Sequence, residues 1–271
     1  MTGVLLHVRH GPPEPAENEA GNRDRWWRCA ELLAEPDRLV RWQAMIAGWL
    51  TEHYGEAPEA TVDGYLVTWY LAAPARLAAL MFHTKRRLPA LAPKHLVLRL
   101  AEQRPRPDGM AVLADEFAVL PDDPEANADW ATVVGDEAAL AALLRGRFIA
   151  HAARFIAAFA PLTRFGRRTL WAAATDALDE ALWLTGRHLG NEEAGVANAA
   201  LVLPDGRSGD SGDSVDSDVL APLTSASTVR MVRENKSEWT RRRESCCFHY
   251  ALRAGLGPCD TCPRLSGRGH V

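Results

Sequence analysis

Four of the five cysteines in this 271-residue chain gather near its end, in ESCCFHYALRAGLGPCDTCPR, residues 244–264. Cys246 and Cys247 are adjacent, eleven residues separate Cys247 from Cys259, and two separate Cys259 from Cys262. No other feature narrows the folds open to the chain as far, because the segment must close its sulfurs into one small volume. Thiols placed by chance would not cluster in this way. Disulfides could join four cysteines in three ways, but a bond between the adjacent pair would be strained. The opening MTGVLLHVRHGPPEP has too short an apolar run for a signal peptide, so a cytoplasmic, reducing setting is expected.

Metal ligation is what remains. Cys259-x-x-Cys262 has the spacing of half a zinc knuckle. The other half does not, since zinc knuckles space their ligands by two to four residues and adjacent side chains tend to point apart. A two-iron cluster asks for two thiolates at each of two metals, and an adjacent pair can serve it. Ligand type and spacing therefore favour [2Fe–2S] over zinc, with the ligands Cys246, Cys247, Cys259 and Cys262. Which pair serves which iron is open. Cys29 lies far away and reads as a buried or free thiol, and His249 as an outer-shell or exposed residue.

The rest of the chain reads as helix-rich. Apolar residues recur at helical spacing from Asp37 to Tyr54, with Gly55 to end the run. A second helical region spans about Glu59 to Arg87, with a break expected near Pro74. Its stretch from Gly64 to Phe82 is the most apolar of the chain, but Pro74, Arg76 and the helical stripe favour a buried helix pair over a membrane span. Residues 94–100 and 109–120 read as strands joined by the Pro-rich turn EQRPRPDG. Helical spacing returns at Glu137 and runs to Gly190, a suitable cap. Residues 204–218 form a Gly/Ser/Asp-rich loop without the ligand order of a calcium site. Residues 227–232 are a candidate strand. The fold class expected is α+β: a helix-rich single domain with a small antiparallel sheet, body 1–240, and a C-terminal cysteine-cluster extension, 241–271. The tryptophans on helical stripes, Trp171 among them, are expected in the core. The net charge of −4 gives no general nucleic-acid surface.

The cysteine segment resembles the C-terminal motif of the FhuF-type ferric-siderophore reductases. That family's pattern is Cys-Cys, about ten residues, then Cys-x-x-Cys-Pro, with arginines before the pair and an apolar residue and a tyrosine after it. Here these are Arg241–Arg243, Phe248, Tyr250 and Pro263. A second likeness lies upstream in His151, Pro161–Leu162, RRTLW at 167–171, and Asp176. Together the matches cover about the last half of the chain. The spacing of eleven where ten is usual departs from the pattern.

The resemblance implies an oxidoreductase whose [2Fe–2S] cluster passes one electron to Fe(III) in a siderophore, with hydroxamates the expected class, releasing Fe(II) in the cytoplasm. No catalytic residue is expected beyond the cluster. An electron donor such as a ferredoxin or a ferredoxin reductase is implied, and transient contact with a membrane importer is allowed. Cations flank the motif at Arg230, Arg233, Lys236, Arg241–Arg243, Arg253, Arg264 and Arg268. Of these, Arg230, Arg233, Arg242 and Arg243, with Trp239 and Tyr250, are the candidates for docking substrate or donor. The competing reading is a zinc-stapled or iron–sulfur binding and electron-transfer module without reductase activity. A synthetase reading lacks any glycine-rich phosphate loop.

Overall fold

The structure is a computed structural model that describes residues 6–12, 26–204, 223–233, 236–253, 257–259 and 261–264. It is a mixed α+β fold, 53 % helical and 16 % strand, which bears out the helix-rich expectation. Six helices are described: α1 (Cys29–Ala34), α2 (Pro36–Tyr54), α3 (Glu59–Lys85), α4 (Glu137–Phe159), α5 (Arg167–His188) and α6 (Glu192–Val202). Their ends follow local chemistry. Pro36 opens α2, and Gly55 closes it at φ 75°, its N–H donating to the Thr51 carbonyl. The Asp136 side chain accepts from the Ala139 N–H at 2.8 Å to start α4, and Asn191 does the same for α6.

α3 runs unbroken through Pro74, where a break was expected. Pro74 is itself buried, and packing on most sides of α3 holds the helix despite the lost N–H. Among the described residues α3 is the one helix long and apolar enough to cross a membrane, yet 67 % of its most apolar window is buried inside the protein. Buried aromatic and leucine side chains from α2, α3, α4 and α5 form the core, including Trp42, Tyr70, Phe155 and Leu178. α5 and α6 touch through Gly186 and Gly195: a Cβ at 186 would lie 2.6 Å from the Gly195 Cα. α6 was not expected from the sequence.

Three small sheets cover the helices. β1 (His7–His10), β5 (Pro107–Val112), β4 (Leu96–Leu100) and β2 (Trp26–Arg28) form one, in that order, with β1 parallel to β5 and the other pairs antiparallel. β3 (Arg87–Pro89), β6 (Phe117–Val119) and β7 (Ala131–Val133) form the second, with β6 and β7 parallel. The strand read over 109–120 is thus two strands in different sheets. β8 (Thr228–Arg233) is the expected strand at 227–232, and it pairs with β9 (Lys236–Arg241) as a hairpin that delivers the chain to the cysteines. The loop read over 204–218 lies outside the described residues, apart from Pro204.

Candidate metal centre

One carboxylate holds the start of the cysteine segment against α5. Asp176, buried on α5, accepts from the Glu244 N–H at 3.0 Å, from the Ser245 N–H at 2.8 Å and from the Ser245 hydroxyl at 2.5 Å. Arg241, also buried, donates to the Asp176 carbonyl and to Glu180, both at 2.7 Å, and lies 3.6 Å from Asp179. The Arg243 guanidinium lies 3.7 Å from Asp176. A buried arginine and carboxylate of this kind need each other, because either left alone would be a desolvated charge. The result is a rigid lead-in that ends at Cys246.

Past the pair, the chain docks on the first half of α3. Gly64 makes room: a Cβ there would sit 2.9 Å from the Cys247 carbonyl oxygen. Thr61 donates to the Phe248 carbonyl at 3.1 Å, and the Tyr65 hydroxyl and His249 Nδ1 are hydrogen-bonded at 2.6 Å. Phe248 stacks on Phe165, with centroids 5.3 Å apart. It holds φ 57°, a left-handed conformation uncommon for a bulky residue. That turn lets its N–H donate to the Cys246 Sγ at 3.4 Å. The Cys262 N–H donates to the Cys259 carbonyl, which closes the second loop of the motif.

All five cysteines are unbridged, and the four C-terminal ones are close neighbours. They lie near enough to act on one another's protonation, Cys247 chiefly with Cys259 and Cys246 with Cys247 and Cys262. The Cys259 thiol hydrogen bond, with Arg243 beside it, outweighs burial and brings the Cys247 pKa down to about 5. Cys259 is raised by donating that bond and by burial, and Cys246 is raised chiefly by burial. Burial opposes the Arg243 charge, but Asp176 and Cys247 hold it protonated above its ordinary value. A thiolate beside a buried guanidinium is a ready metal ligand.

Four thiolates divided two and two are what a [2Fe–2S] centre requires. Among the described residues no group of three or more His, Cys, Asp or Glu side chains is gathered so as to hold a metal ion. By donor type the four cysteines would suit a two-iron cluster or the ion of a zinc staple alike.

The remaining sequence candidates fall into distinct places. Arg230 stacks on Trp239 across the β8–β9 hairpin at 4.4 Å and pairs with Glu193 of α6. Tyr250 carries the Arg264 guanidinium over its ring at 4.6 Å. Arg242 is exposed, and Arg253 pairs with Glu56. Arg268 and the side chains of Arg233 and Lys236 lie outside the described residues. Cys29 is buried at the start of α1, hydrogen-bonded to Tyr70, its pKa pushed up to about 12 by burial. His151 is a core residue: its Nε2 meets the Tyr70 hydroxyl at 2.9 Å, its Nδ1 meets the Leu91 carbonyl at 2.6 Å, and burial lowers its pKa to about 4. Trp171 is half-buried against the core. Sequence reasoning quoted Asp176 only as a motif residue, and passed over Thr61, Gly64 and Tyr65, which receive the cysteine segment.

No family model matches the chain, and no curated protein matches its sequence.

Proposed function

We propose that the chain is a ferric-siderophore reductase acting in the cytoplasm, with Cys246, Cys247, Cys259 and Cys262 as the ligands of a [2Fe–2S] cluster. When bound, that cluster supplies one electron at a time, which converts siderophore-held Fe(III) to Fe(II), an ion that hard oxygen ligands hold less well. The observation that carries the reading is the gathering of the four C-terminal cysteines as electrostatic neighbours beside Arg243. The resemblance of the same segment to the ferric-siderophore reductases supports it.

The chain's own residues have clear tasks in this scheme. Asp176, Arg241 and Ser245 hold the lead-in at one geometry. Arg243 places a positive charge next to Cys247 and Cys259, which favours the more negative, reduced state of the site and raises its potential. Phe248 and His249 anchor the cysteine loop on Phe165 and Tyr65. Exposed Arg242 and Arg264 remain for an acidic donor protein such as a ferredoxin.

The test is the cofactor itself. Anaerobically purified protein is expected to be red-brown, to bleach with dithionite, and to hold about two irons and two sulfides per chain. Changing any one of the four cysteines to serine loses the cluster or shifts its spectrum, whereas Cys29→Ser keeps it. A colourless protein with stoichiometric zinc would establish the stapled binding module instead.

A further inference from the structure

Between α3, α5 and the turn that precedes β5 lies a cavity of about 200 Å³. Arg76, Arg104, Arg106, Arg241 and Arg243 line it, with Trp69 beside them. Asp176 and Glu180 are its carboxylates, and they are engaged by Arg241 and Arg243. Among the described residues no carboxylate lies within 4.0 Å of Arg76, Arg104 or Arg106. Arg104 is clamped over Trp49 at 4.6 Å and Trp69 at 4.9 Å, and its Nε is buried without a partner. Arg106 is close enough to act on the charges of both Arg76 and Arg104, and Glu180 partly offsets it at Arg76.

Three partly buried cations, two of them disfavoured by Arg106, are costly to hold together. A purely structural arrangement would pair them. An anion with several oxygens would offset the cost, and guanidinium forks match carboxylates as they match phosphates; of the two, the carboxylate is the group that binds ferric iron in a chelate of this size. The volume suits a carboxylate arm about the size of citrate and is too small to enclose a whole siderophore. Arg243 belongs both to this wall and to the cysteine site, where it faces Cys247 and Cys259. A ligand anchored in the cavity would therefore stand next to the cluster. A ferric tris-hydroxamate core carries no net charge and offers these arginines no carboxylate.

Resting on the reductase reading above, we infer that this cavity binds the carboxylate part of an anionic ferric chelate, so that the substrate class is carboxylate-bearing. The test uses cluster-loaded protein and redox-inert Ga(III) chelates, with binding read by calorimetry and by Trp fluorescence. Ga(III)–citrate should bind, more weakly as salt rises. Arg106→Gln and Arg76→Gln should each weaken it about tenfold, the worth of one charge-assisted hydrogen bond, with circular dichroism and cluster absorbance unchanged. Ga(III)–desferrioxamine B should bind less well and ignore both substitutions. The inference is overturned if Ga(III)–citrate does not bind, or if neither substitution weakens it. It is also overturned if citrate alone or inorganic phosphate binds as tightly as the chelate, since the cavity is then a general oxyanion site, or if a Ga(III) tris-catecholate is the ligand whose binding depends on the arginines. Because Ga(III) accepts no electron, a failure here leaves the reductase reading standing. Binding of Ga(III)–citrate without reduction of any ferric chelate would remove that reading and keep the cavity's ligand.

Discussion

Asp176 and His151 belong to the same motif-like pattern in the sequence, yet they do different work. Asp176 takes three hydrogen bonds from residues 244 and 245 and stands beside two arginines, so it sets where the cysteines begin. His151 is buried and neutral, held by Tyr70 and Leu91. Its folded pKa, about 4, lies below the ordinary histidine value of 6.5. Between those values the unfolded chain keeps a proton that the folded chain lacks. Stability therefore rises with pH through this window and is lost as pH falls from about 6.5 towards 4, by about 3 kcal/mol for this residue. Urea denaturation between pH 7 and pH 4 should show a shallower pH dependence in His151→Gln than in the unaltered protein, and equal slopes would count against a buried neutral histidine. The four cysteines were legible in the sequence because their spacing is local. Arg76, Arg104 and Arg106 were not, because α3 and the turn before β5 meet only in the folded chain, and no local pattern marks that meeting.

At the scale of elements, helix periodicity was read well wherever one apolar stripe faced the core, as in α2, α4 and α5. α6 escaped notice because NEEAGVANAALV is short and rich in small residues; its packing relies on the Gly186–Gly195 approach more than on a stripe. β9 escaped because KSEWTR is polar, and it exists by pairing with β8. The break expected at Pro74 failed because tertiary packing overrides a single lost hydrogen bond. α3 also forms the floor of the metal site, and Gly64 tests that role. In an exposed helix, Gly→Ala adds up to about 1 kcal/mol of stability. At residue 64 the new Cβ would meet the Cys247 carbonyl at 2.9 Å. Gly64→Ala should therefore lower stability by about 1–3 kcal/mol, the cost of overpacking, and reduce iron per chain. Full iron content with equal or higher stability would show that the cysteine segment does not rest on α3.

Across the whole molecule, α3 and α5 form a common support for two neighbouring features. The cysteine segment lies against Gly64 and Asp176, and the arginine-lined cavity, which Asp176 also lines, opens beside it. Arg243 joins the two. Under the proposed function, this arrangement would place the cluster beside a cationic binding site, as a one-electron reductase of an anionic chelate requires. The most direct measurement is stopped-flow absorbance of the dithionite-reduced protein, freed of excess reductant and mixed with a ferric chelate in the presence of a ferrous trap. The account predicts that the oxidised cluster spectrum returns in step with trapped Fe(II), one ferrous ion per electron. A reduced spectrum that persists for hours beside excess ferric carboxylate, hydroxamate and catecholate chelates alike would contradict it.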